Sequence, residues 1–124
     1  CNQTKKKLLE KFIHSKVATS RKLFLKKHKN INTKIVFLDI PLLFEKKLDK
    51  ICDYVVLIYA PLQIRKQRSM KRKGMNKDIL NKIINSQLSD FSKKNKADFI
   101  INTSKNKIDS FKRVLKIIES IKNK

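Results

Sequence analysis

The chain predicts an α/β domain in which a parallel sheet is flanked by helices. Three apolar runs, Ile35-Val36-Phe37-Leu38-Asp39-Ile40, Tyr54-Val55-Val56-Leu57-Ile58-Tyr59-Ala60 and Phe99-Ile100-Ile101, are continuous instead of alternating, the pattern of strands covered on both faces. Helical periodicity fills the stretches before the first run and after the second and third. No internal repeat and no Pro/Gly/Ser-rich linker divides the 124 residues, so the length gives one domain or part of one.

From Thr4 to about Lys27, Leu8, Leu9, Phe12, Ile13, Val17, Leu23 and Phe24 recur at helical spacing between lysines. One or two amphipathic helices follow, with His14-Ser15 as the break because Ser is a good N-cap. The run over Ile35–Ile40 carries one acid near its end and is stopped by Pro41, which reads as a buried strand. The run Tyr54–Ala60 ends at Pro61, and Phe99–Ile101 ends in the polar Asn102-Thr103-Ser104. Leu62 to Lys73, carrying Ile64 and Met70, predicts a helix with Gly74 as its C-terminal stop. Asn76 opens a helix with Ile79, Leu80, Ile83, Ile84 and Leu88, and the last helix runs through Ile108, Phe111, Val114, Leu115, Ile118 and Ile121. Three strands are fewer than such a sheet normally has, and no Gly-rich phosphate loop is present.

Composition excludes several classes. One Gly, two Pro and 40% hydrophobic residues rule out collagen, flexible linker and low-complexity disorder. The longest uncharged apolar stretch falls short of the roughly 18 residues of a membrane span, and the lysine-rich start leads into an amphipathic pattern instead of a signal-peptide core. A cytosolic chain is expected. Cys1 and Cys52 have no metal-like spacing, which fits thiols in a reducing compartment. The 32 Lys+Arg against 10 Asp+Glu give a net charge of +22, and Lys5-Lys6-Lys7, Lys26-Lys27 and Lys93-Lys94 can screen phosphates. The excess is nearly all Lys and spread over every segment, while the seven Phe sit mostly in apolar blocks. A solvated lysine surface is favoured over a nucleic-acid interface.

Four groups of residues can carry chemistry. Asp39 lies near the C-terminal end of a predicted strand, where open α/β sheets place ligands and an acid can hold a metal directly or through water; the alternative is that it caps the following turn. Arg65, Arg68 and Arg72 follow one another at spacings of three and four and make up three of the five arginines, so one helical face grips phosphate or is simply solvated. Glu45, one of three Glu, follows Pro41-Leu42-Leu43-Phe44 and either orients a substrate hydroxyl or amine or sits on the surface beside Lys46 and Lys47. His14 binds a ligand or phosphate or is structural. His28 reads as exposed among lysines, and neither thiol has a neighbouring base that would make it a nucleophile.

Taken together, Ile13-His14 followed by Val17, and then Leu38-Asp39-Ile40-Pro41-Leu42-Leu43-Phe44-Glu45, resemble dephospho-coenzyme A kinase. Asp53-Tyr54-Val55-Val56, Ala60-Pro61, Gln67-Arg68, Arg72, Gly74-Met75, Gln87 and Ala97-Asp98-Phe99-Ile100-Ile101 continue the match, which runs from about Leu9 to Ile121. Two departures stand out. Ser15 replaces a Pro of the family motif, and Asn102-Thr103-Ser104-Lys105 stands where many relatives carry Asp-Asn-Ser-Gly.

The resemblance implies a P-loop kinase that moves the γ-phosphate of ATP, with Mg²⁺, onto the ribose 3′-hydroxyl of dephospho-CoA, completing coenzyme A. It implies one partial domain over residues 1–124, with the acceptor-site loop at about 41–50 and a mobile lid at about 62–96. Arg68 and Arg72 fall in that lid as catalytic residues. Arg65, Arg68, Arg72 and Thr103 bind nucleotide, Thr103 taking the adenine-side contact. His14, Pro41, Leu42, Leu43 and Glu45 bind the acceptor. Asp39, from its place at the predicted strand end and not from the resemblance, is the candidate to meet the metal through water. The family's opening half, with the P-loop strand between the strands matching 35–40 and 54–60, does not occur in these 124 residues. The isolated chain is therefore expected to be marginally folded and inactive. Two other readings stay open, another P-loop nucleotide or small-molecule kinase and a basic nucleic-acid-binding remnant.

Overall fold

The computed structural model describes residues 3–123, apart from the side chain of Lys6. The thiol expected at Cys1 lies outside the described residues. The chain divides into two compact units between Asp39 and Ile40.

The first unit is built on one long helix, α1 (Gln3–Asn30). The break expected at His14-Ser15 does not occur. Ser15 is helical, and its carbonyl accepts a bond from the Thr19 hydroxyl at 3.1 Å. Leu and Lys on both sides are good helix formers, and propagation across one weaker residue costs less than starting a second helix. Lys27, His28 and Lys29 occupy the last turn, where positive charge complements the helix dipole. His28, expected to be exposed, is half-buried. Its ring lies 4.4 Å from that of Phe24 and its Nδ1 is 3.0 Å from the Thr33 hydroxyl, while Asn32 (φ 52°) turns the chain out of the helix.

The strand expected over Ile35–Ile40 is absent: the segment pairs with no other strand among the described residues, and Phe37 is 63% exposed. A continuous apolar run supplies only half of a ladder, and its backbone N–H and C=O groups need a neighbouring strand to pair with.

The second unit holds the sheet. β1 (Val56–Tyr59) and β2 (Phe99–Asn102) pair in parallel, Val56 opposite Phe99 and Tyr59 opposite Asn102. Parallel neighbours need a crossover, and here it consists of α2 (Leu62–Met70), α3 (Lys77–Asn85) and α4 (Asp90–Lys94). A 3₁₀ turn (Asp49–Ile51) precedes β1, and α5 (Lys107–Lys122) follows β2. The start expected at Asn76 forms, its side chain accepting from the Ile79 N–H at 2.9 Å, and Asn106 caps α5 by accepting from the Asp109 N–H at 2.8 Å. The core is small, consisting of Phe44, Val55, Ala60, Leu80 and Ile101, the last only 2% exposed.

The ladder is extended at both ends by side chains. At its start, Asp98 accepts from the Val55 N–H at 2.7 Å while its own N–H donates to the Val55 carbonyl at 2.9 Å. At its end, the Thr103 N–H and hydroxyl both donate to the Tyr59 carbonyl, at 2.7 and 3.1 Å.

Two helix boundaries differ from expectation. The helix begun at Leu62 stops at Met70 instead of Lys73, so Gly74 (φ 79°) lies in the turn beyond it and not at its C′ position. The helix opened by Asn76 stops at Asn85, and Ser89 caps a separate α4 by accepting from the Ser92 N–H at 3.1 Å.

Candidate functional site

The turn after Ile40 is held in a strained form. Leu42 (φ 58°) and Lys47 (φ 53°) are left-handed without being glycine, a conformation that persists only where the surroundings over-determine it. Three backbone bonds close the turn, Lys46 to Leu42, Lys47 to Phe44 and Leu48 to Leu43, at 3.0, 3.1 and 2.9 Å. Pro41 and Leu42 are exposed and Leu43 is half-buried. Phe44 points into the core at 7% exposure.

Glu45 turns toward the α3–α4 link. Its Oε1 accepts from the Leu88 N–H at 2.9 Å and lies 3.1 Å from the Lys93 ammonium, with both charged side chains about 15% exposed. Burial pushes the carboxyl up, but the Leu88 N–H, its own backbone N–H and the Lys93 ammonium pull it further down, so it titrates below its ordinary 4.5. Lys93 also donates to Gln87 Oε1 at 3.4 Å.

The three arginines do not share one face. Arg65 and Arg68 sit on α2, whereas Arg72 lies in the turn after it, its N–H bonded to the Ser69 carbonyl at 3.0 Å. Arg65 donates to Asp90, in the first turn of α4, at 2.5 Å, and its Nε is buried with no hydrogen-bond partner among the described residues. Arg68 reaches β2 instead, donating to the Thr103 carbonyl at 2.6 Å and its hydroxyl at 3.2 Å. The Arg72 side chain is exposed and makes no hydrogen bond or ion pair among the described residues.

Because the two strands run in parallel, Tyr59 and Asn102 end on the same edge, the edge at which open α/β sheets bind ligands. Arg68, Thr103 and the Lys94 ammonium, 3.8 Å from the Tyr59 ring centre, gather there. A guanidinium and a loop hydroxyl at such an edge suit an anionic nucleotide.

His14 and Asp39 belong to the first unit and are exposed. Among the described residues no group of three or more His, Cys, Asp or Glu is placed to hold a metal ion. Cys52 is a half-buried thiol that donates toward the Leu48 carbonyl at 3.9 Å. No helix is long and apolar enough to cross a membrane among the described residues.

Sequence reasoning missed Asp90, Lys93 and Lys94 as partners. Ser89 followed by Asp90 is a helix-start signal that would have found α4, but nothing local joins Lys93 to Glu45.

A family model described as dephospho-CoA kinase matches residues 1–109. The chain belongs to the dephospho-CoA kinase family. It is 42% identical over 113 residues to the dephospho-CoA kinase of Bartonella quintana, covering 91% of this chain and 58% of that one. The dephospho-CoA kinase of Rickettsia felis is 42% identical over 123 residues, 99% of this chain and 63% of the relative. The chain thus spans about three fifths of the length of these dephospho-CoA kinases. Among solved structures, TT1252 from Thermus thermophilus superposes with a TM-score of 0.76 at 27% identity, over 96% of this chain and 60% of that one. Family and fold agree on an α/β kinase architecture of which this chain holds the two-stranded parallel portion with its crossover helices.

Proposed function

We propose that the protein to which this chain contributes transfers the γ-phosphate of ATP to the ribose 3′-hydroxyl of dephospho-CoA in the cytosol, and that this chain supplies its acceptor loop and lid. The observation that carries the reading is Arg68, held from α2 across the C-terminal edge of the sheet onto Thr103, with Arg72 exposed one turn further along. Phosphoryl transfer spreads negative charge over the moving group, and catalysis consists largely of positioning and cationic stabilisation. Arg68 and Arg72 supply that charge, Thr103 meets the adenine side, and Arg65 fixes α2 to α4 through Asp90. The turn that carries Pro41, Leu42, Leu43 and Glu45 lines the acceptor site, with Glu45 acting from within the turn. The part of His14 rests on the family resemblance alone.

Mg²⁺ bound to a nucleotide keeps most of its waters and needs only one or two carboxylates. Asp39, a single exposed acid, fits that requirement through water. When bound, the ion would be held by Asp39 through water and would offset phosphate charge. The chain's one glycine leaves no Gly-rich loop for cradling phosphates, so these residues alone transfer no phosphate.

The test is an acceptor competition in a protein of the relatives' full length with this chain as its C-terminal part. Dephospho-CoA is expected to be phosphorylated in preference to nucleoside monophosphates. Preference for a nucleoside monophosphate, or binding to RNA at about 0.15 M salt that ATP does not displace, would overturn the reading.

A further inference from the structure

Building on that reading, we infer that Glu45 is a positioning residue that ties the acceptor loop to the α3–α4 link, so that the lid segment sets the shape of the acceptor site. The loop cannot hold its form through its backbone alone. Two non-glycine residues, Leu42 and Lys47, lie in the left-handed region, where Cβ crowds the following carbonyl oxygen. Two side chains of the same turn hold it down. Phe44 is sunk in the core, and the Glu45 carboxylate is engaged by Leu88, 43 residues away in the chain, and by Lys93 beyond it.

Each donor has a reason to be there. The Leu88 N–H lies in the connection between α3 and α4, where no helical carbonyl is in register to accept it, and Glu45 Oε1 is its partner. Lys93 comes from α4, and its ammonium is shared between Glu45 and Gln87. Leu88 and Lys93 bracket the start of α4, so a movement of the lid pulls on Glu45. A carboxylate oxygen already bonded to a backbone amide and facing an ammonium is turned toward the protein and not toward a substrate hydroxyl. The side-chain length is specific as well: Asp is one methylene too short for the span, and Gln keeps the acceptor for Leu88 while losing the charge facing Lys93.

The experiment compares Glu45→Ala, Glu45→Gln and Lys93→Met in the full-length protein, reading kcat, separate KM values for dephospho-CoA and ATP, and hydrogen exchange at the Leu88 amide. Loss of a charge-assisted bond predicts that Glu45→Ala raises the acceptor KM about tenfold, leaves the ATP KM within about twofold, and speeds Leu88 exchange about tenfold. Glu45→Gln and Lys93→Met are expected near threefold on the acceptor KM, with Leu88 still protected in both. Unchanged Leu88 exchange in Glu45→Ala overturns the inference. So does a Glu45→Gln as damaging as Glu45→Ala alongside a silent Lys93→Met, the pattern of a direct substrate contact. A wild-type protein inactive on dephospho-CoA would refute the kinase reading, while the exchange data would still decide the tie. Should Glu45→Ala fail to fold, Glu45→Gln and Lys93→Met still separate the two cases.

Discussion

The Arg68 guanidinium donates to both oxygens of Thr103, and Thr103 in turn donates twice to the Tyr59 carbonyl. One residue of β2's exit loop thus joins α2 to the end of β1. The cation proposed to act on phosphate is held by the same hydroxyl-bearing residue that the family resemblance places against adenine.

Arg68→Ala and Arg72→Ala are expected to share a catalytic defect and differ in stability. Removing a cation from a transferring phosphoryl group lowers kcat/KM by about 10²–10³ in either variant. Arg68→Ala also breaks two hydrogen bonds and costs about 1–2 kcal/mol, whereas Arg72→Ala stays within about 0.5 kcal/mol of wild type. Steady-state kinetics and urea unfolding of both variants check the contrast.

Asp98→Ala should destabilise without touching chemistry. Val55 is buried, and its N–H has Asp98 as acceptor. Stranding that donor costs about 1–3 kcal/mol, read as a lower urea midpoint at unchanged slope, and Asp98→Asn should recover part of it.

Stability should fall in mild acid through Glu45. Its folded carboxyl titrates below its ordinary 4.5, so the folded state holds fewer protons there than the unfolded chain. The resulting stabilisation is complete above the unfolded value and disappears as pH drops through the folded one. Urea midpoints measured from pH 6 downward should decline less steeply for Glu45→Gln than for wild type.

Gly74→Ala tests backbone strain alone. A Cβ there would meet no atom within 4 Å, but φ is +79°. The expected loss is roughly 1–2 kcal/mol, and Gly74→Asn, which tolerates this region better, should lose less. Chemical denaturation of both variants gives the comparison.

The elements legible in the sequence were those whose cause is local. The Asn76 cap, the strands around Val56 and Phe99 and the last helix each follow from a few adjacent residues. The run over Ile35–Ile40 has the same apolar signature but, among the described residues, no partner strand to complete it, so composition alone overstated it. The three arginines showed their spacing but not their destinations, because Asp90 and Thr103 lie 25 and 35 residues away from Arg65 and Arg68. Glu45 was singled out by its neighbours in sequence, yet its bonded partners sit beyond β1 and two helices.

The pairing of Val55 with Asp98 across 43 residues sets a timetable during synthesis. At about 5–20 residues per second, β1 waits roughly 2–9 s on the ribosome before β2 has been made. Throughout that interval β1 is without its β2 neighbour, and the crossover helices, which need only local contacts, can form before that pairing does.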